Sequence, residues 1–385
     1  MQFRFPPEEE AFREEIRSFL RDELPEQRPD GVDGWRFHRA FVKKLAERGW
    51  LTLAWPKEWG GAAAPHLRQL VFNEEMAYWD APANDMGADR VGPTIMLHGT
   101  DAQKAQHLPQ IVRGDEVWCQ GFSEPGAGSD LASLQTRAVE DGDSFVVNGS
   151  KIWTSLAHFA QWMILLARTD VDAPKHRGIT FFLLDMKTPG ITIRPLVDML
   201  GRHTFNQVFF DNVRVPRDCV VGEINRGWYV ATTTLDFERS GIQRVIGGMK
   251  TCEALIAYAG EQLRAGTPRP AFAAIKHRLA DLAIDYEVGR LLAYRVGWLQ
   301  SKGIVPNYEA SVSKMYGSEL TQRMAGTGME LLWLGGQLAP GSPWAPLKGR
   351  IESLYLNAAA LTIAAGTSEI NRGIIATRGL GLPRA

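Results

Sequence analysis

The chain has 385 residues, more than one hydrophobic core usually serves, so two or three domains are expected. Its apolar content of 45% and charged content of 23% match an ordinary globular protein and exclude a disordered one. A formal net charge of −1 excludes a whole-molecule field that would draw it onto nucleic acid or an anionic membrane. No stretch approaches the roughly 18 continuous apolar residues of a membrane span. The segment from Met1 turns acidic within eight residues and lacks the apolar core of a secretory signal. Cys119, Cys219 and Cys252 are dispersed, and the histidines show no ligand spacing. That pattern predicts neither disulfides nor a metal, and places the protein in a reducing cytoplasm.

In chain order, residues 1 to about 115 read as helices. Pro6-Pro7 precedes an acidic first turn, Glu8-Glu9-Glu10; Phe12, Ile16, Phe19 and Leu20 recur at helical spacing, and Pro25 ends the run. Phe41, Leu45 and Trp50 predict a second amphipathic helix, broken at Gly49, and Leu67 to Trp79 a third. From about Glu116 to Glu223 short β-branched runs replace that period: Ser144 to Asn148, Trp162 to Ala167, Ile179 to Leu184 and Gln207 to Phe210. After Gly227 the helical period returns, predicting helices over Leu235 to Ala259, Ala271 to Leu299, Tyr308 to Leu334, Ile351 to Ala364 and Ser368 to Thr377. The order α–β–α implies segregated layers, not a doubly wound sheet.

Three motifs stand out. Gly121-Phe-Ser-Glu-Pro-Gly-Ala-Gly-Ser-Asp130 combines hydroxyls with glycines that let backbone N–H groups approach a ligand. Asn148-Gly-Ser-Lys-Ile-Trp-Thr-Ser155 puts an aromatic wall beside hydroxyls, which suits a planar heterocycle. Ala365-Gly-Thr-Ser-Glu-Ile-Asn-Arg372 starts a helix, whose free N–H groups suit a flavin or phosphate oxygen. Taken singly, each also reads as ordinary structure: a turn between strands, a core tryptophan, a helix cap.

Together and in this order, the three motifs resemble those of the acyl-CoA dehydrogenases, over essentially the whole chain. The helix containing Ala274-Ile-Lys-His-Arg-Leu-Ala-Asp281 is similar to one in that family's C-terminal bundle. The resemblance implies an α+β multi-domain fold: an N-terminal helical domain (1–115), a middle antiparallel β-barrel (116–225) and a C-terminal four-helix bundle (226–385). It implies FAD as cofactor, with contacts from Phe122, Ser123, Ser129, Trp153, Thr154, Ser155, Thr367 and Glu369. It implies an acyl-CoA substrate, touched by Ser129 and Arg239, and electron-transfer flavoprotein as the electron acceptor.

The implied chemistry needs a carboxylate within roughly 3 Å of the substrate's weakly acidic α-proton. In many family members that base is a Glu immediately before Gly-Thr-Ser; here the position is Ala365, whose methyl group cannot take a proton. The family's other solution is a Glu immediately before an Arg on the first long C-terminal helix. Leu235-Asp-Phe-Glu-Arg239 places Glu238 there. Glu369, one turn into the next helix, and Asp236, on another helix face, are the rival acids.

Two departures concern assembly. The family's Arg-x-x-Phe-Gly segment is absent from Glu261 to Pro270, and Leu332 replaces its usual Gln before Gly335-Gly336. Both groups serve a neighbouring subunit's FAD. The sequence therefore allows a homotetramer with contacts shifted to Arg264 or Arg269, or a heterotetramer in which a paralogous subunit completes the FAD site. A flavin oxidase or monooxygenase on the same fold is the alternative activity, favoured by Ala365 and opposed by Glu238. Ala365, with Gly241, Gly247 and Gly248, points to a bulky, branched, long-chain or sterol side-chain acyl group.

Overall fold

The computed structural model describes residues 5–26, 28–239, 242–266 and 272–383, with the side chains of 236–239 and 272–274 outside the described set. The chain divides into two compact units, each assembled from separated segments. One comprises Met1–Pro25, Pro65–Ala81 and Arg239–Ala385; the other comprises Glu26–Ala64 and Pro82–Glu238.

The second unit contains α2 (Gly31–Glu47), α4 (Gly92–His98), α5 (Asp101–Val112), the strands and α6 (Gly227–Arg239). Helix α5 begins with a capping box: the Thr100 hydroxyl accepts from Gln103 N–H at 3.2 Å, and Gln103 Oε1 accepts from Thr100 N–H at 3.0 Å. The strands are β1 (Trp118–Gly121), β2 (Arg137–Asp141), β3 (Ser144–Lys151), β4 (Trp162–Arg168), β5 (Ile179–Asp185), β6 (Ile191–Val197), β7 (His203–Pro216) and β8 (Val220–Val221). They form one eight-stranded sheet in the order β6-β7-β3-β2-β4-β5-β8, with β1 added beside β4. Most pairings are antiparallel. Strand β1 runs parallel to β4, a departure from the all-antiparallel expectation, and the pairings among the described residues form an open path with β6 and β8 at its ends.

Why β4 and β5 are continuous apolar runs follows from what covers them. Side chains alternate across a strand, so Ile164, Leu166, Phe181 and Leu183 fall on one face. There they join Trp55, Val91, Ile95, Leu108, Ile111 and Val230 from the helical segments. Met163, Leu165, Phe182 and Leu184 fall on the other face with Phe145 and Val147 of β3 and Val208, Phe210 and Val213 of β7. A strand buried on both faces has no polar positions. Each such Phe or Leu contributes roughly 2 kcal/mol by leaving water. Close approach fixes one glycine here: a Cβ on Gly92 would lie 2.0 Å from the Trp55 ring, whose indole N–H donates to Ala88 O at 3.0 Å.

The first unit contains α1 (Pro7–Glu23), α3 (His66–Tyr78), α7 (Gln243–Ile246), α8 (Met249–Arg264), α9 (Phe272–Ser301), α10 (Tyr308–Leu332), α11 (Arg350–Leu361) and α12 (Ser368–Ile374). Its core joins Leu255, Leu279, Leu282, Tyr286, Leu320, Met324 and Ile351. Helix α1 docks onto α3, and α3 onto α9: Arg13 of α1 bonds Glu74 at 2.8 Å and Glu75 at 2.6 Å, while Tyr294 of α9 donates to Glu74 at 2.7 Å. Leu70 packs with Ile242, Ile246 and Ala293.

The single helix expected over Leu235 to Ala259 is instead three, with Gly247-Gly248 between α7 and α8. Gly248 sits at a close approach, where a Cβ would meet the Tyr286 hydroxyl at 2.2 Å. Gly248 therefore lets two helices close up and gives no support to a roomy pocket; Gly241 lies outside the described residues. Among the described residues, no helix is long and apolar enough to cross a membrane.

Candidate functional site

Two of the singled-out motifs meet within the second unit. Ser123 O accepts from Ile152 N–H at 2.9 Å, which lays the Gly-rich loop beside the turn that follows β3. The next residue, Trp153, has φ +59°, a conformation rarely used by a bulky residue, and its ring is 61% exposed. An unusual backbone and an exposed indole both cost free energy, and such features cluster where a ligand needs them. Thr154 holds the turn, exchanging backbone bonds with Asn206 of β7 at 3.0 and 3.1 Å, and Phe205 packs edge-on against the Trp153 ring at 5.9 Å.

Thr154 is fully buried, and among the described residues its Oγ1 has no hydrogen-bond partner. Enclosed by protein, that oxygen presents no open face to a ligand. A Cβ on Gly126 or Gly128 would meet nothing, so the loop presents bare backbone, and Ser129 beside it is exposed. An exposed aromatic face beside a bare loop fits a planar heterocycle carrying an anionic arm. Ser123 and Ser155 are half-buried nearby. Phe122 differs: its ring is core, packed edge-on against Phe181 at 6.0 Å.

What holds the two motifs together was not anticipated. Lys151, fully buried, donates to Glu124 Oε1 at 2.7 Å and to Phe122 O at 3.0 Å. Glu124 also accepts from the N–H groups of Gln135 at 2.6 Å and Thr136 at 2.8 Å. Burial pushes the Glu124 carboxyl up, but the Lys151 charge and these bonds outweigh it and hold it below the usual carboxylate range. Burial lowers the Lys151 ammonium against the pull of Glu124. The signal in the sequence was one opposite charge inside each motif. A cavity of about 680 Å³ opens on the far edge of the loop, between Pro125, Gly126, Ser133, Gln135 and Ser150.

The third motif lies in the other unit. Ala365 and Gly366 take φ of +56° and +85°, ending one helix and starting α12, where the Thr367 hydroxyl accepts from Ile370 N–H at 3.2 Å. The turn is pinned through Gly366 O, which accepts from buried Lys314 Nζ at 2.7 Å and Asn371 Nδ2 at 2.9 Å. Among the described residues, Ser368 Oγ and Asn371 Oδ1 are buried without partners. A second cavity, about 500 Å³, is lined here by Gln322, Arg323, Thr367, Ser368, Glu369 and Arg372. Glu369 is exposed, and its own N–H at the helix start, with the Thr367 hydroxyl, holds its carboxyl below the usual range. That suits a cap and not a base. The side chains of Glu238, Arg239 and Asp236 lie outside the described residues, as does Arg269.

Three family models match the chain in order: Acyl-CoA dehydrogenase, N-terminal domain, over residues 6–115; the middle domain over 119–213; and the C-terminal domain over 225–380. Among curated proteins, the acyl-CoA dehydrogenase IpdE1 of Mycobacterium tuberculosis is 37% identical over 391 residues, covering 97% of this chain and 98% of its own. Among solved structures, the Tcur3481-Tcur3483 steroid ACAD matches with a TM-score of 0.89 at 35% identity, over 100% of both chains. The ChsE4-ChsE5 complex from Mycobacterium tuberculosis gives the same TM-score of 0.89 at 35% identity, again over 100% of both chains.

Proposed function

Because this chain belongs to the acyl-CoA dehydrogenase family, we propose that it desaturates a bulky acyl-CoA thioester between its α- and β-carbons, with Glu238 as the α-proton base. The cofactor is FAD, which when bound supplies the acceptor for the β-hydride. The observation that carries this reading is Trp153, an exposed indole on a strained backbone beside the bare Gly-rich loop.

Each residue then has a role. Trp153 covers the flavin face, Ser155 offers it a hydroxyl, and Ser123 meets its pyrimidine edge. Phe122, Thr154, Thr367 and Glu369 are the remaining proposed cofactor contacts. Ser129 and Arg239 contact the substrate, and Glu238 takes the proton that Ala365 cannot. Electron-transfer flavoprotein is the proposed acceptor, and the cytoplasm the proposed compartment. In the same reading, residues 1–115, 116–225 and 226–385 act as the N-terminal helical, middle barrel and C-terminal four-helix domains.

The two solved relatives named above, one called a steroid ACAD and both named as pairs of proteins, support two refinements. The acyl group carries a sterol-type ring system, for which the absence of a carboxylate at Ala365 leaves room. In a panel of CoA thioesters, anaerobic bleaching of the flavin is expected to be fastest with sterol side-chain esters; fastest bleaching by butyryl-CoA would refute this. Rapid oxygen consumption in their place would make the enzyme an oxidase.

The assembly is a heterotetramer with a paralogous subunit. Leu332, where the family has Gln, is buried and apolar and offers a neighbour's FAD no hydrogen bond. On α9, Ile284, Val288, Leu291 and Trp298 are exposed at 62%, 40%, 44% and 53%, an apolar stripe at helical spacing that suits burial against another subunit. Purified alone, the chain is expected to hold well under one flavin per subunit, and co-expression with the paralogue to restore it. Full occupancy in the isolated chain would defeat the heteromer.

A further inference from the structure

We propose that Arg168 is the positioning residue of the Gly-rich loop, tying its exit to the loop that joins β4 to β5. Ser129 then meets the substrate from a fixed backbone, so the proposal rests on reading Ser129 as a substrate contact. Arg168 ends β4 and is 6% exposed. Its Nε donates to Leu134 O at 3.1 Å, and Nη2 donates to Ala132 O at 2.6 Å and Lys175 O at 3.2 Å. Nη1 reaches Arg177 O at 3.5 Å. Ala132 lies in, and Leu134 caps, the short helical turn Leu131–Ser133 that follows the Gly-rich loop. Lys175 and Arg177 lie in the loop 169–178. One side chain thus grips two loops by their backbones.

The grip needs an arginine. A planar guanidinium carries five N–H donors in a fixed fork, whereas a lysine ammonium is a single point. Each of the four bonds ends on a main-chain carbonyl. Burial lowers the Arg168 guanidinium, and the charges of Glu124 and Asp170 oppose that. A second link joins the same two loops at the surface. Lys175 Nζ bonds both carboxylate oxygens of Asp130 at 2.9 Å, and Asp130 also accepts from the Ser133 hydroxyl at 2.5 Å. That ion pair is exposed on both sides, and exposed pairs contribute little. The buried cation is what holds the loops together.

The Gly-rich loop has to be fixed from outside, because Gly126 and Gly128 give it backbone freedom and no side-chain packing. Its entrance is held by Lys151, which donates to Phe122 O and Glu124, and its exit by Arg168. Between these anchors Ser129 is exposed and open to a ligand. Both anchors are buried cations that turn carbonyls inward. They share one buried anion, Glu124, whose charge favours the protonated form of each. Two cations against one anion leave positive charge under the loop, the sign that favours an anionic ligand such as a CoA thioester.

The test replaces Arg168 with lysine, which keeps the charge but cannot fork to both loops. Flavin reduction is followed anaerobically in the loaded enzyme, against the concentration of the CoA thioester that bleaches the wild type fastest. Arg168→Lys is expected to raise the half-saturating concentration about 10-fold and to leave the limiting rate within about 3-fold of wild type, the sign of lost binding and not of lost chemistry. Unchanged half-saturation with a lowered melting temperature makes Arg168 merely structural and overturns the proposal; so does a fall in the limiting rate alone. Lys175→Met removes only the exposed pair and keeps the Lys175 carbonyl, so half-saturation is expected to stay within about 2-fold of wild type. A rise there like that expected of Arg168→Lys would put the link at the surface and overturn the proposal, even if Arg168→Lys fails to fold. Ser129→Ala is expected to raise half-saturation in the same sense. If it does not, the substrate reading of Ser129 falls, while hydrogen exchange still judges the grip: Arg168→Lys is expected to quicken it in both loops, and unchanged exchange there overturns the proposal.

Discussion

Replacing Glu238 with glutamine is expected to leave FAD and acyl-CoA binding intact and to slow anaerobic flavin reduction by about 10²- to 10⁴-fold, the usual worth of a positioned base. The amide keeps the size and hydrogen-bonding capacity of the carboxyl but cannot take a proton from carbon. The argument is one of elimination among acids. At the loop position the side chain is a methyl group on a backbone with φ +56°. Glu369 caps a short helix, lies exposed, and has its carboxyl held low, so it is a weak base at neutral pH. Asp236 shares the helix with Glu238 but falls on another face. Stopped-flow absorbance under nitrogen checks the prediction. Wild-type reduction kinetics in the Glu238→Gln enzyme would pass the role to another acid and remove the mechanism.

Lys151→Met is expected to be the most destabilising substitution near the site, costing about 3 kcal/mol as read from urea unfolding. Methionine fills the same space, so the loss is not a cavity. What remains is the Glu124 carboxylate, 8% exposed, stripped of its cation though still held by two backbone N–H groups. Those two donors keep the cost at the lower end of what a broken buried pair usually costs. Adding Glu124→Gln to Lys151→Met is expected to recover part of the loss, because the double variant buries no charge.

The pH dependence has a definite direction. In the wild type the Glu124 carboxyl is held below its unfolded value, so its contribution is present above that value and lost as pH falls through the folded one. Without Lys151 the folded carboxyl protonates at higher pH and sheds its charge penalty. The stability gap between Lys151→Met and wild type therefore narrows as the solution is acidified through the carboxylate range. A gap constant with pH would mean that shape, not charge, is what Lys151 provides.

The fold was legible wherever a period ran unbroken. The predicted ranges for α1, α3, α9 and α10 fall within a few residues of the observed ones, because each carries an apolar stripe between clear stops. Strands β4 and β5 were legible as apolar runs for the opposite reason, being covered on both faces. Strands β1, β2, β6 and β8 were not. They are short or half-exposed, and only their pairing identifies them. The close approach at Gly248 was hidden because its partner, Tyr286, is remote in sequence.

The same distinction applies to the site. Trp153, Thr154 and the Gly-rich loop were singled out by residue type. The Lys151–Glu124 pair that joins two of the motifs was not, since it shows only in what the two side chains touch. Lys314 and Asn371, which pin the Gly366 carbonyl, were missed likewise.

The clasp of α3 onto α9 has a bearing on how the protein is made. Glu74 and Tyr294 are separated by 220 positions, so at about 10 residues per second roughly 20 s of translation pass between them. For most of that interval α3 carries Leu70 and Ala77 without Ile242, Ile246 and Ala293, which later pack with them. The ribosome thus releases a nascent chain whose third helix has to wait, and a holding chaperone would find its target there.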